Sequence, residues 1–358
     1  MSLITAPGRL RAGLSSRERT TLAAMGGVVI GLLLAGSLLL VLGTQGHRTT
    51  LGLGTGLLAL TLGMRHAFDA DHLAAIDNAT RTLIARGQRP LSTGFWFSLG
   101  HSSVVLALTL LLVAGVRGLG ASVADPHSGL HLWTGVVGTT ISAGFLLLIA
   151  AFNLMLLRGI VASMRSLRAG TFDHHALDAV SLGGGPLSRL FAPLVQRVDS
   201  PGKMYPLGLA FGLGFDTATE VGLLVLSGTA MASGLSFWAV LSLPLLFAGG
   251  MSFFDTIDGA MMNVAYRWAA EAPGRRLYYN LVITSLSVAV AVLIGALEIA
   301  SLTVERLNLH GGVFDVIAGL DLTTVGFVVA AMFLLTWIGA VVLWRWGRLD
   351  QRFEPTES

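Results

Sequence analysis

The chemistry-bearing residues of this sequence concentrate in the segment 65–72, which reads Arg-His-Ala-Phe-Asp-Ala-Asp-His. Two imidazoles, His66 and His72, flank two carboxylates, Asp69 and Asp71, inside a long apolar stretch. Ionisable groups at membrane depth are costly unless they pair with one another or hold an ion. The chain has no cysteine, and imidazole with carboxylate but without sulfur favours borderline first-row divalent metals. The segment therefore predicts a metal site.

Other acids and one further histidine lie in apolar stretches. Asp216 and Glu220 are spaced i, i+4, and Asp255 and Asp258 are spaced i, i+3, so each pair shares a face of a helix. For both pairs, ties between helices or a proton relay are alternatives to metal ligation. His101 is open between ligand and packing partner. The predicted metal-site residues are His66, Asp69, Asp71, His72, His101, Asp216, Glu220, Asp255 and Asp258.

Helix geometry limits what the first segment can do. At about 100° per residue, His66, Asp69 and His72 fall within a sector of about 120°, and Arg65 lies inside it. Asp71 points about 140° away from His66. A straight helix cannot turn all four ligands toward one ion. Either the helix breaks near Phe68, or Asp71 serves a second helix or orients an imidazole.

Charge balance across the apolar stretches supports a cation. The carboxylates there face a single base, Arg65, and they cannot all stay ionised in a dry bundle. Protonation, a water-filled cavity or a bound cation would each resolve the imbalance, and a cation pathway does so most directly. Asp77 and Asn78, a little further along, are expected to cap the cytoplasmic end of their helix.

The elements that position these residues are membrane helices. The chain is 53% hydrophobic and 12% charged, whereas soluble domains carry about 25% charged residues. Apolar spans of about 20 residues mark helices that cross a bilayer. We predict an all-α polytopic membrane protein with eight transmembrane helices. They cover about 22–44, 51–75, 91–116, 131–157, 206–231, 236–265, 279–304 and 319–344.

The basic residues give the orientation. Most of the 23 Lys and Arg residues fall at the termini and in the connections that follow the even-numbered helices. By the positive-inside rule, both termini are cytoplasmic. The long connection 158–205 is then a cytoplasmic loop between two halves of one transporter domain, 1–358. Because the arginines are spread over loops and form no basic face, nucleic acid is not expected as a partner.

The segment 65–72 resembles the His-x4-Asp-His signature that the nickel/cobalt transporter family carries in its second helix. The runs Leu-Gly-Phe-Asp-Thr-Ala-Thr-Glu at 213–220 and Gly-Met-Ser-Phe-Phe-Asp-Thr-Ile-Asp-Gly at 250–259 resemble further signatures of that family. The run Phe-Ser-Leu-Gly-His-Ser at 97–102 is similar to its third-helix motif. These four motifs spread over helices two to six, so the resemblance covers the whole chain.

The resemblance implies a multi-pass secondary permease that imports Ni²⁺ or Co²⁺ across the bacterial cytoplasmic membrane. It also implies that His66, Asp71 and His72 are needed for transport. The metal would be the transported substrate, no cofactor is expected, and proton coupling is a hypothesis raised by the surplus of carboxylates. One alternative is a divalent-metal exporter, since a pathway has no direction. The other is an intramembrane metalloenzyme, against which the His-Glu-x-x-His pattern is absent.

Overall fold

All regular structure in the described part of the chain is helical. The computed structural model describes residues 15–44, 49–114, 128–168, 199–214, 218–270, 273–320 and 322–346. In chain order the α-helices of these ranges are α1 Ser16–Gly43, α2 Thr49–His66, α3 Ala70–Ala85, α4 Thr93–Val113, α5 Gly129–Arg168, α6 Met204–Phe211, α7 Ala218–Ala232, α8 Phe237–Ala270, α9 Pro273–Arg306, α10 Val313–Ala318 and α11 Leu322–Trp346. The predicted all-α class is confirmed.

Six of the described helices are long and apolar enough to cross a membrane: α1, α4, α5, α8, α9 and α11. The other two predicted spans are each divided between shorter helices. The predicted span 51–75 becomes α2 and α3, and the predicted span 206–231 becomes α6 and α7. Both divisions fall at the segments that carry candidate metal ligands. The eight-crossing count and the orientation of the termini stay predictions.

The chain leaves α2 through a tight turn at Ala67–Asp69. The amide of Phe68 donates to the Arg65 carbonyl at 3.0 Å, and the amide of Asp69 donates to the His66 carbonyl at 2.9 Å. Asp69 has an extended backbone, with φ −64° and ψ 140°, and precedes the first turn of α3. Asp71 lies in that first turn, where the helix dipole favours a negative charge. Of the two predicted arrangements, the helix break is the one observed.

Helix α11 supports this turn from outside. Gly326 packs directly on the Phe68 carbonyl, so that a Cβ at this position would overlap the carbonyl oxygen. Beside it, the rings of Phe68 and Phe327 stack with centroids 4.7 Å apart. The close approach of the two backbones therefore depends on a glycine at this position of α11.

Helix α8 lies at the centre of the bundle and packs against α1, α2, α3 and α4. Leu243, Phe247 and Met251 of α8 are fully buried. Close contact with α4 depends on Gly94, which lies against the Asp255 carbonyl. Two helix ends are also tied together, because Glu18 at the start of α1 pairs with Arg267 near the end of α8 at 2.8 Å. Helix α8 is thus held in place along most of its length.

Two predicted connections are shorter than expected. Helix α5 continues to Arg168, so residues 158–168 of the predicted loop 158–205 are helical, while 169–198 lie outside the described residues. Helix α8 reaches Ala270 and α9 begins at Pro273, past the predicted ends at 265 and 279. Hydropathy marks where apolar side chains stop, whereas Arg, Ala and Leu continue a helix readily beyond that point.

Replacing Gly94 by Ala is expected to lower the free energy of unfolding by ~1–3 kcal/mol, as overpacking does in tight cores. The added Cβ would overlap the Asp255 carbonyl oxygen and push α4 away from α8. The matched control is Gly144→Ala on α5, where an added Cβ would meet no atom within 4 Å. Thermal unfolding of the purified protein in detergent checks this, and equal midpoints for the two variants would contradict it.

Candidate metal site

Three imidazoles converge in the interior of the bundle. His66 is the last residue of α2, His72 lies in the first turn of α3, and His101 comes from the middle of α4. Their ring centroids form a nearly equilateral triangle with sides of 4.6, 4.7 and 4.7 Å. One nitrogen from each ring lies within 4.8 Å of the others, and none of the three residues is more than 2% exposed. This spacing suits three ligands around one small ion.

Glu220 of α7 adds a carboxylate oxygen to the same point. Its Oε1 lies 2.7 Å from His101 Nε2 and 3.9 Å from His66 Nε2. The two Nε2 atoms are themselves only 2.8 Å apart. Two ring nitrogens and a carboxylate oxygen this close share either a proton or a cation, because their lone pairs would otherwise repel one another. Imidazole nitrogen and carboxylate oxygen in this arrangement could hold a divalent metal ion.

The other ring nitrogen of His66 is held from two sides. Asp69 Oδ2 lies 2.7 Å from Nδ1, and Thr219 Oγ1 lies 2.9 Å from the same atom. A carboxylate next to Nδ1 favours the tautomer that carries its proton there, which leaves the Nε2 lone pair free to bind a metal. Asp69 is therefore placed to orient an imidazole.

The acids of α8 lie beside the imidazole triangle. Asp255 is fully buried, and its Oδ2 is 3.5 Å from His72 Nδ1. Asp258 follows Asp255 by three residues, so it lies about one helical turn nearer to Tyr266 along α8. Asp71 is half-buried in the first turn of α3. Asp216 lies in 215–217, outside the described residues.

The base expected to balance these carboxylates is not buried with them. Arg65 is exposed at the surface of the bundle. It lies about 100° round α2 from His66, and the turn at Ala67–Asp69 carries Asp69 and His72 away from the face that they would share with it in a continuous helix. Arg81 of α3, which sequence reasoning assigned to a loop, is buried at 8% exposure and donates to Thr284 at 2.8 Å. Arg65 therefore does not share the buried environment of the carboxylates near the imidazoles.

Sequence reasoning missed Thr219. A hydroxyl in an apolar helix changes neither the hydropathy nor the charge pattern, so nothing in the periodicity distinguished Thr219 from a packing residue. Only its position next to Glu220 could have identified it, because a residue adjacent to a ligand in the same helical turn lies close to the same site.

The chain matches the family model of high-affinity nickel-transport proteins over residues 52–343. It is 47% identical to the nickel transporter NicT of Mycobacterium tuberculosis, over 97% of this chain and 95% of that protein. It is 42% identical to a high-affinity nickel transport protein of Cupriavidus necator, over 83% and 85% of the two chains. It is 38% identical to the cobalt transport protein NhlF of Rhodococcus rhodochrous, over 91% and 92%. No solved structure shows a significant match to the chain.

Replacing Thr219 by Val is expected to weaken Ni²⁺ binding about tenfold, within the range for residues that orient metal-binding histidines. Valine keeps the branched shape but removes the hydroxyl that contacts His66 Nδ1. Thr219→Ser keeps the hydroxyl and is expected to bind Ni²⁺ nearly as wild type does. Equilibrium dialysis of the purified variants against Ni²⁺ measures both affinities. A Val variant that binds as tightly as the Ser variant would show that the hydroxyl has no orienting role.

Proposed function

Because this chain belongs to the family of high-affinity nickel-transport proteins, we propose that it is a secondary transporter that imports Ni²⁺ or Co²⁺ across the bacterial cytoplasmic membrane. The observation that carries the proposal is the buried group of His66, His72 and His101, with Glu220 in contact with two of them. Membership of a transporter family also points away from a metalloenzyme. Transport, and not catalysis, is the reading that both observations support.

The ligand types support a borderline divalent ion. Imidazole nitrogen suits Ni²⁺, Co²⁺, Zn²⁺ and Cu²⁺, whereas Mg²⁺ and Ca²⁺ favour oxygen ligands throughout. Relatives of this chain are named for nickel and for cobalt, which supports both ions as substrates. In this account the three imidazoles and Glu220 bind the ion, and Asp69 with Thr219 orients His66. Asp71, Asp255 and Asp258 line the onward path.

The interrupted helices support transport through the bundle. In many secondary transporters the substrate site lies near the middle of the bilayer, where discontinuous helices expose backbone groups and helix ends. Here the turn Ala67–Asp69 separates α2 from α3 beside the imidazoles, and α7 begins just before Glu220. If α2 with α3, and α6 with α7, each make one crossing, the chain crosses eight times and both termini are cytoplasmic.

Cells that express the His66→Ala or His101→Ala variant are expected to accumulate at least about tenfold less ⁶³Ni²⁺ and ⁵⁷Co²⁺ than wild type, because each loses one ligand of a three-imidazole site. The matched control is His310→Ala, which removes an exposed imidazole in the connection after α9 and is expected to leave uptake unchanged. Full accumulation in the His66 and His101 variants would contradict the site. Lower metal content in wild-type cells than in cells lacking the protein would contradict import.

Proton coupling is the second part of the proposal, because the buried acids Asp69, Glu220 and Asp255 outnumber the bases near the imidazoles. In proteoliposomes, an imposed pH gradient that is alkaline on the side receiving the metal is expected to raise the initial rate of Ni²⁺ uptake. A protonophore is expected to abolish that increase. A rate that ignores the gradient would remove proton coupling while leaving the metal site intact.

A further inference from the structure

A second buried polar group lies further along α3 and takes no part in the imidazole site. The carboxylate of Asp77 is fully buried. Its Oδ1 accepts a hydrogen bond from Tyr266 of α8 at 2.5 Å, and its Oδ2 accepts one from Ser287 of α9 at 2.6 Å. The sequence suggested that Asp77 caps the end of a helix. The structure corrects this, because the side chain ties three helices together in the interior.

Its neighbours on α3 extend the connection. Asn153 of α5 donates to Asn78 Oδ1 at 2.5 Å, and Arg81 donates to Thr284 of α9 at 2.8 Å. We call Asp77, Asn78, Arg81, Asn153, Tyr266 and Ser287 the Asp77 cluster. Through it, the second half of α3 is joined to α5, α8 and α9 at one level of the bundle.

The Asp77 cluster lies between the imidazole site and one end of the bundle. Asp77 follows His72 by five residues on α3, a rise of about 7.5 Å. On α8, Tyr266 is followed by Arg267, which pairs with Glu18 at the start of α1. By the proposed topology this end of the bundle is cytoplasmic. An ion that leaves the imidazoles between α3 and α8 therefore meets the Asp77 cluster before it reaches the cytoplasm.

Hydrogen bonding changes along this route. On the site side, both oxygens of Asp255 and Oδ2 of Asp258 have no hydrogen-bond partner among the described residues. At Asp77 both carboxylate oxygens have one. Buried polar atoms without partners are rare and indicate water or an ion. The carboxylates without partners thus extend from the imidazoles along α8 as far as Asp258, and at Asp77 both carboxylate oxygens are hydrogen-bonded, although Arg81 Nε and Asn153 Oδ1 in the same cluster lack partners among the described residues.

The chemistry of the Asp77 cluster suits a closure that opens repeatedly. Burying a carboxylate is costly, and apolar residues of the same volume would hold the helices at least as firmly. An apolar plug, however, would expose apolar surface to the aqueous path whenever it opened. Hydroxyl, amide and carboxylate groups can exchange their mutual hydrogen bonds for hydrogen bonds to water, so the net cost of separating them is much smaller than the strength of the bonds themselves. The turn at Ala67–Asp69 also gives α3 a joint about which it can move separately from α2.

We propose that the Asp77 cluster is the cytoplasmic gate of the metal path, closed in this conformation, and that Asp77, Tyr266 and Ser287 are transport-determining residues. Opening separates α3 from α8 and α9 and exposes the route from His72 to the cytoplasm. The inference rests on the proposed function and topology. If the inference is right, removing a hydrogen bond from the Asp77 cluster exposes the segment of α3 that lies between Asp77 and His72.

The absence of cysteine from the chain allows a direct test. Ala74→Cys places a single thiol on α3 between His72 and Asp77, at a residue that is 1% exposed and belongs to the same buried apolar cluster as Met262, Tyr266 and Ile283. Its rate of modification by a membrane-impermeant methanethiosulfonate reagent is measured in inside-out and right-side-out vesicles. The reporter is combined with Tyr266→Phe or Ser287→Ala, each of which removes one hydroxyl from Asp77. The matched control is Ser142→Ala, which removes the buried hydrogen bond from Ser142 to Glu298, 2.8 Å long, between α5 and α9.

Tyr266→Phe and Ser287→Ala are each expected to raise the modification rate from the cytoplasmic face about tenfold, with no rise from the other face. Tenfold corresponds to ~1.4 kcal/mol. Ser142→Ala is expected to leave the rate unchanged. An unchanged rate in a monodisperse Ser287→Ala protein would overturn the gate, as would an equal rise in the Ser142→Ala control or a rise from the opposite face. Uptake of ⁶³Ni²⁺ is measured separately. If the modification rates change as expected but no ⁶³Ni²⁺ is taken up, the result counts against the proposed function and not against the gate.

Discussion

The turn between His66 and Ala70 is the constraint on which the rest of the site depends. In a continuous helix, Asp69 would lie on the same face as both histidines and Asp71 would point away from them. The turn ends one helix at His66 and starts another at Ala70, so that the two imidazoles come from different helices and meet with centroids 4.6 Å apart. It also leaves Asp69 in extended backbone, where its carboxylate reaches back to His66 Nδ1. With this turn in place, His101 completes the triangle from the middle of the uninterrupted helix α4.

Close packing of backbones keeps that geometry in place. Gly326 lets α11 press on the turn, and Gly94 lets α4 approach α8 beside Asp255. Helix–helix association in a membrane depends on such small residues, because lipid offers little hydrophobic drive for packing. The polar groups that this packing encloses must then find partners in one another, in water or in an ion. At Asp77 the partners are the hydroxyl groups of Tyr266 and Ser287, whereas at the imidazoles the converging lone pairs need a proton or a cation between them.

Much of this could be predicted from local spacing. The apolar spans gave the helices, and the angular argument on His66 and Asp71 anticipated the break near Phe68. The sequence indicates His66 and His72 as ligands because they flank two carboxylates in an apolar span, whereas it leaves His101 open between ligand and packing partner. What could not be predicted depends on contacts between distant helices. Thr219 reaches His66 from α7, and Asp77 reaches Tyr266 and Ser287 across the bundle. The exposure of Arg65 was also missed, because the turn at Ala67–Asp69 takes Asp69 and His72 away from the face of α2 that carries Arg65 and leaves no mark in the hydropathy.

The central claim is that three imidazoles hold the transported ion. X-ray absorption at the nickel edge of purified, Ni²⁺-loaded protein tests it most directly, since the outer-shell scattering of imidazole rings distinguishes them from water and carboxylate. Imidazole scattering from several rings is expected in the wild type, with a weaker signal in each protein that lacks His66, His72 or His101. A nickel shell of oxygen ligands alone, identical in the wild type and in those variants, would show that the imidazoles do not bind the ion.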